Sequence, residues 1–147
     1  MVDNKINELK LKDNVYIILR GPDGIIKHKS VHNTVTTAGK NGVADQILAS
    51  PTLAKPGWMA IGTGSPTSTL LGAEIDRNAL TSKTRSGAVV MMVGVWAAGD
   101  GTGTITEAGI FDVVTANTVN MWASASFSAI NKQIGDTLQI IWTLTLS

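Results

Sequence analysis

The chain has 147 residues, 44% of them hydrophobic and 16% charged, with a formal net charge of +1. That length supports one domain with a real core, and that composition excludes a disordered chain. So small a net charge gives no field that would argue for nucleic acid, and the absence of cysteine excludes disulfides, thiolate zinc sites and cysteine nucleophiles together.

Met1–Lys12 (MVDNKINELKLK) mixes charges with Ile6, Leu9 and Leu11. It lacks the apolar centre of a secretion signal. It reads as an arm outside a single domain over 13–147, either frayed or laid on a neighbouring subunit. Asp13–Arg20 is apolar and rich in β-formers, and Gly21–Gly24 (GPDG) supplies a preset φ, a self-bonding side chain and a residue free to take positive φ. Ile25–Val31 returns as the second strand of a hairpin. Neither of its faces is cleanly apolar and it carries Lys27 and Lys29, so it is expected at a sheet edge.

Thr36–Ser50 is the one helix. Thr36 or Thr37 caps it, Val43, Ile47 and Leu48 make an apolar stripe, and Pro51 stops it. Gly42 either weakens its first turn or allows close packing on a sheet. Gly57–Gly62 is a short buried strand and Thr63–Thr69 a loop. Leu70–Arg77 reads as a helical turn or an irregular edge, and Asn78–Arg85 as a strand. Ala88–Ala97 (AVVMMVGVWA) is apolar on both faces. Such a strand is covered twice, by its own core and by a second layer or a partner. Three further strands follow between Gly103 and Ser147. Seven or eight short strands with one helix imply a mainly β fold, an antiparallel β-sandwich, jelly-roll-like. The charged share lies below the quarter or so of ordinary soluble domains. A surface of that kind is either covered by a partner or rich in exposed Thr and Ser.

Four segments carry a resemblance: HNTVTTAGKNGVADQIL (32–48), MAIGTGSPTSTLLGAEIDR (59–77), GTGTITEAGIFD (101–112) and FSAINKQIGDTLQIIWTLTL (127–146). In this order they resemble small structural proteins and domains of tailed-bacteriophage virions, which include capsid decoration (cement) proteins and parts of tails or fibres. The resemblance implies a β-sandwich and a non-enzymatic role. The expected function is a decoration protein on the outer surface of the capsid. It would bind the major capsid protein as a homo-oligomer, a trimer favoured over a dimer, with neither nucleic acid nor membrane as partner. The alternative is a tail or fibre module that binds a host glycan through its loops.

Glu107 sits among small and apolar neighbours, and a buried carboxylate needs a partner. Arg77, or failing it Lys132, is expected to meet it and fix a corner of the sandwich. No second carboxylate or histidine lies at dyad spacing, so no catalytic residue is expected. His28 and His32 share a strand face, without a third ligand to hold a metal. The loops IGTGSPTST and GDGTGT lack the Gly-Lys-Ser/Thr end of a nucleotide loop. No cofactor is expected. All four tryptophans fall in strands, where aromatics belong to the core by default, although Trp is also enriched at interfaces. Interface candidates are Ile6, Leu9 and Leu11 of the arm and Met91, Met92 and Trp96 of the doubly apolar strand.

Overall fold

A computed structural model describes residues 10–147. The chain runs β1 (Leu11–Gly21), β2 (Gly24–Val35), α1 (Thr37–Asp45), β3 (Trp58–Gly62), β4 (Glu74–Ala79), β5 (Ser82–Ser86), β6 (Val89–Trp96), β7 (Gly103–Phe111), β8 (Met121–Lys132) and β9 (Thr137–Leu146). Among the described residues these nine strands form one antiparallel sheet in the order β4-β3-β7-β8-β2-β1-β9-β6-β5.

The opening hairpin closes where the turn chemistry puts it. Gly21 pairs with Gly24 across Pro22 and Asp23, and Gly24 takes the positive φ (+120°) that a side chain would resist. β2 is then the pivot of the whole sheet. Its first part, through His32, pairs with β1, and Asn33–Val35 pair with β8. The sheet therefore curls into two halves. One holds β1, β9, β6 and β5, and the other holds β8, β7, β3 and β4. Their inner faces share one core. Val15, Ile17 and Leu19 of β1 and Leu138, Ile140 and Trp142 of β9 pack with Met59 and Ile61 of β3 and Ile105, Ala108 and Ile110 of β7.

The two outermost strands, β4 and β5, are consecutive in the chain. Leu80 and Thr81 carry the backbone from one half to the other, with Leu80 N donating to Gly57 O (2.9 Å) and Thr81 N to Val93 O (2.7 Å). Asn78 Nδ2 of β4 donates to Val95 O of β6 (3.0 Å), which ties the two ends of the curl together. The fold is thus mainly β with one helix, as expected, its two layers made from one continuous curled sheet. The crossing at Leu80–Thr81 is also why Asn78–Arg85 is not a single strand.

Among the described residues the first part of β2 has β1 as a neighbour on one side only, in agreement with an edge position for Ile25–Val31. Ile6 and Leu9 lie outside the described residues. Leu11 already belongs to β1, paired with Leu146, so the strand begins inside the expected arm.

Thr36 is the N-cap of α1, its hydroxyl accepting from Gly39 N (3.1 Å). The helix is shorter than the sequence suggests, and its stripe does not hold beyond Val43. Ile47 is 85% exposed and Leu48 also lies in solvent. The packing face is made of glycine instead. A Cβ on Gly42 would overlap the six-membered ring of Trp122, and one on Gly39 would overlap the backbone of Trp122. Asp45 ends the helix by turning its carboxylate onto the following chain, accepting from Thr52 N (3.0 Å), Thr52 Oγ1 (3.1 Å) and Leu53 N (2.9 Å). Those amides hold its carboxyl below the ordinary value of 3.8, the Leu53 N–H most of all.

Candidate functional site

Glu107 is fully buried on the outer face of β7, and among the described residues its partners are backbone amides and not a cation. Its Oε1 accepts from Gly72 N (2.6 Å) and its Oε2 from Ala73 N (3.2 Å). Two backbone amides can hold a carboxylate where no arginine reaches, because hydrogen bonds to an ionised acceptor are among the stronger ones. Its neighbour Thr106 donates through Oγ1 to Gly64 O (2.7 Å). Together these residues pin the loop from Thr63 to Ala73 onto the sheet. Gly62 and Gly64 are needed there, since a Cβ would stand 2.9 Å from Glu107 Cγ at the first and 2.7 Å from Oε2 at the second. Leu71, carried by the same loop, is buried with Ala60, Phe111 and Met121 in a second, smaller core.

The expected Glu107–Arg77 pair is therefore corrected. Both residues belong to this half of the molecule, but Arg77 is taken by Glu74, with Nε to Oε2 at 3.0 Å and Nη2 to Oε1 at 2.7 Å. An irregularity in the β3–β4 register makes this possible. Gly62 pairs with Glu74 and Ile61 with Asp76, so one extra residue, Ile75, lets positions 74 and 77 meet on one side of the strand. The guanidinium also stacks over Phe111 (3.7 Å to the ring centroid) and donates to Val113 O (3.0 Å). Lys132 does not reach Glu107 either. It is buried at the far end of β8, where its Nζ donates to Ala97 O (3.0 Å). Desolvation pulls its pKa below the ordinary 10.5, against the pull of Asp136, Asp100 and Asp76.

The outer faces of the two halves differ. The β3–β7 side is covered by its own loop through the Glu107 staple. On the other side a row runs Val93, Ile141, Tyr16 across β6, β9 and β1, set by the pairings Val93↔Ile141 and Ile141↔Tyr16. Met91, 42% exposed, and Val95 flank it, and none of these five carries a charge. The doubly apolar strand β6 thus has one face in the core and the other on this surface. Trp96 and Met92 take the inner face. Trp96 is 0% exposed and packs in the chain's own core, so it and Met92 are withdrawn as interface candidates. Met91 remains on the surface.

His28 and His32 both stand exposed on β2, and no group of three potential metal ligands occurs among the described residues. Sequence reasoning missed Glu74, Asp45 and the amide donors of the 72–73 turn. The one local signal was the Glu-x-x-Arg spacing in AEIDR, which pairs only because of the extra residue in β4. Comparison with protein-family models, with curated proteins and with solved structures gives no match to this chain.

Proposed function

We propose that this chain is a non-enzymatic structural protein of a tailed-bacteriophage virion, a capsid decoration protein that binds the major capsid protein shell as a homo-oligomer. One observation carries the reading: one face of the molecule is closed by its own loop, while the opposite face offers an uncharged apolar row at Val93, Ile141 and Tyr16. A face of this composition resembles the core of a protein interface, where charge is depleted and Tyr and Met are enriched. The motif residues behind the phage resemblance support the same reading. Glu107 staples a loop, and the Arg77–Glu74 pair ties β4 to Val113. Each is engaged in holding the fold. The mechanism is multivalent burial, in which each subunit adds a modest area and the oligomer engages several shell subunits at once.

Sedimentation equilibrium and co-sedimentation with empty capsids test this. The chain should sediment as an oligomer and pellet with shells. Ile141→Lys, a change on the outer face of β9, should weaken self-association or shell binding with little loss of stability. A monomer that stays in the supernatant ends the proposal. The tail or fibre reading has its own supporting observation, a hydroxyl-rich recess of about 390 Å³ lined by His32, Thr34, Ser65, Thr67, Ser124 and Ser126. Density for this chain at the tail tip of a particle reconstruction, or retention on a host-glycan array, would favour it.

A further inference from the structure

At the end nearest α1 the inner faces of the two halves are not packed fully against each other. They leave a cavity of about 530 Å³, within the range of roughly 300–1,000 Å³ common for small-molecule sites. Its walls are apolar. Trp122 and Ile110 come from one half, Met92, Trp142 and Leu144 from the other, and Val43 from the helix. The mouth is cationic. Lys55, Lys83 and Arg85 line it, and among the described residues no Asp or Glu does.

The placement of two of these cations is unusual. In β5, Lys83 pairs with Met92 and Arg85 with Val90. Alternation along a strand therefore puts both on the same side as the core-facing Met92. Each has one backbone partner: Lys83 Nζ donates to Pro56 O (2.5 Å) and Arg85 Nη1 to Gly87 O (2.8 Å). An ammonium carries three N–H donors and a guanidinium five, so both keep capacity for a ligand. Gln46 also lines the cavity, and its amide nitrogen is buried with no hydrogen-bond partner among the described residues. A buried donor without a partner is costly, and here it lies against a space that could hold one.

We infer that this cavity binds a single-chain anionic amphiphile of the fatty-acid class, its aliphatic tail between the two halves of the sheet and its carboxylate at Lys83 and Arg85. The apolar walls favour the tail, since an aliphatic chain would cover the half-buried Leu144 and Val43 and lie against the buried rings of Trp122 and Trp142. The three cations select the sign of the headgroup, because a carboxylate matches them and an ammonium is repelled. Lys83 and Arg85 also suit an edge strand that must avoid stray pairing. That role accounts for their charge but not for the cavity beneath them or for the unpartnered amide of Gln46.

Titration with palmitate below its micellar concentration tests the inference, because Trp122 and Trp142 line the cavity and their fluorescence reports its occupancy. Expected is a saturable change at one equivalent, with hexadecylammonium binding at least about ten-fold more weakly. The double variant Lys83→Glu/Arg85→Glu is exposed at both positions and should keep the parent's circular dichroism and melting temperature. It should lose palmitate affinity by about ten-fold or more and gain affinity for the ammonium. Absence of saturable binding, equal binding of the two headgroups, or an unchanged palmitate affinity in the double variant would each overturn the inference.

Discussion

Glu107→Gln is the substitution that most directly tests how the loop over β3 and β7 is held. The carboxylate accepts two backbone N–H groups, from Gly72 at 2.6 Å and Ala73 at 3.2 Å. Glutamine keeps the volume but has one acceptor oxygen. Its NH₂ group must then face one of the two amides, donor against donor. A hydrogen bond to a charged group contributes about 1.5–3 kcal/mol and a neutral one about 1 kcal/mol. One bond is therefore lost and the other weakened, partly offset because a neutral amide is less costly to bury than a carboxylate. The net cost is about 2–3 kcal/mol. For a chain of this size each kcal/mol lowers Tm by about 2–4 °C, so the melting temperature should fall by about 5–10 °C. Urea denaturation gives the free energy. Hydrogen exchange gives the location, since the amides of Gly72 and Ala73 should lose protection before the core strands do. A variant within about 0.5 kcal/mol of the parent, with protection at both amides intact, would refute the staple.

A double-mutant cycle on Glu74 and Arg77, whose side chains are each 2% exposed and in bidentate contact, should give a coupling energy of about 1–3 kcal/mol. The corresponding cycle on Glu107 and Arg77 should give a smaller one. Gly42→Ala, which in an exposed helix would stabilise by up to about 1 kcal/mol, should here destabilise by about 1–2 kcal/mol in urea melts, because the new Cβ overlaps Trp122. Asp45 has its carboxyl pKa depressed in the folded state. Its contribution is therefore fully present above the ordinary 3.8 and is lost as pH falls through the lower folded value. Asp45→Asn should flatten that part of the acid limb of a stability–pH curve while leaving its alkaline limb unchanged. Lys132 works in the opposite direction. Its folded pKa is below 10.5, so between the two values the unfolded chain holds more protons and stability rises with pH. Lys132→Met should remove that rise from chemical melts recorded across the alkaline range.

The amino-acid sequence by itself determined the parts of this protein that depend on near neighbours. The Gly21–Gly24 turn, the Thr36 cap and the strands between Gly103 and Ser147 all follow from dihedral preferences and from alternation, which act over a few residues. That Glu107 is buried was legible too, from its small and apolar neighbours. What answers it was not, because Gly72 and Ala73 are more than 30 residues away and backbone amides leave no signature in the side-chain sequence. The doubly apolar Ala88–Ala97 posed a similar problem. Hydrophobicity on both faces gives a strand no preferred phase. The phase is settled by β9, whose alternation Leu138, Ile140, Trp142 points inward and pairs with Trp96, Gly94 and Met92. That register turns Trp96 into the core and leaves Met91, Val93 and Val95 on the surface. The asymmetry between a stapled face and an open one, and the cavity under β5, come from the way the curl brings β4 and β5 together. Only the packed sheet decides these, because they are contacts between elements and not properties of any one of them.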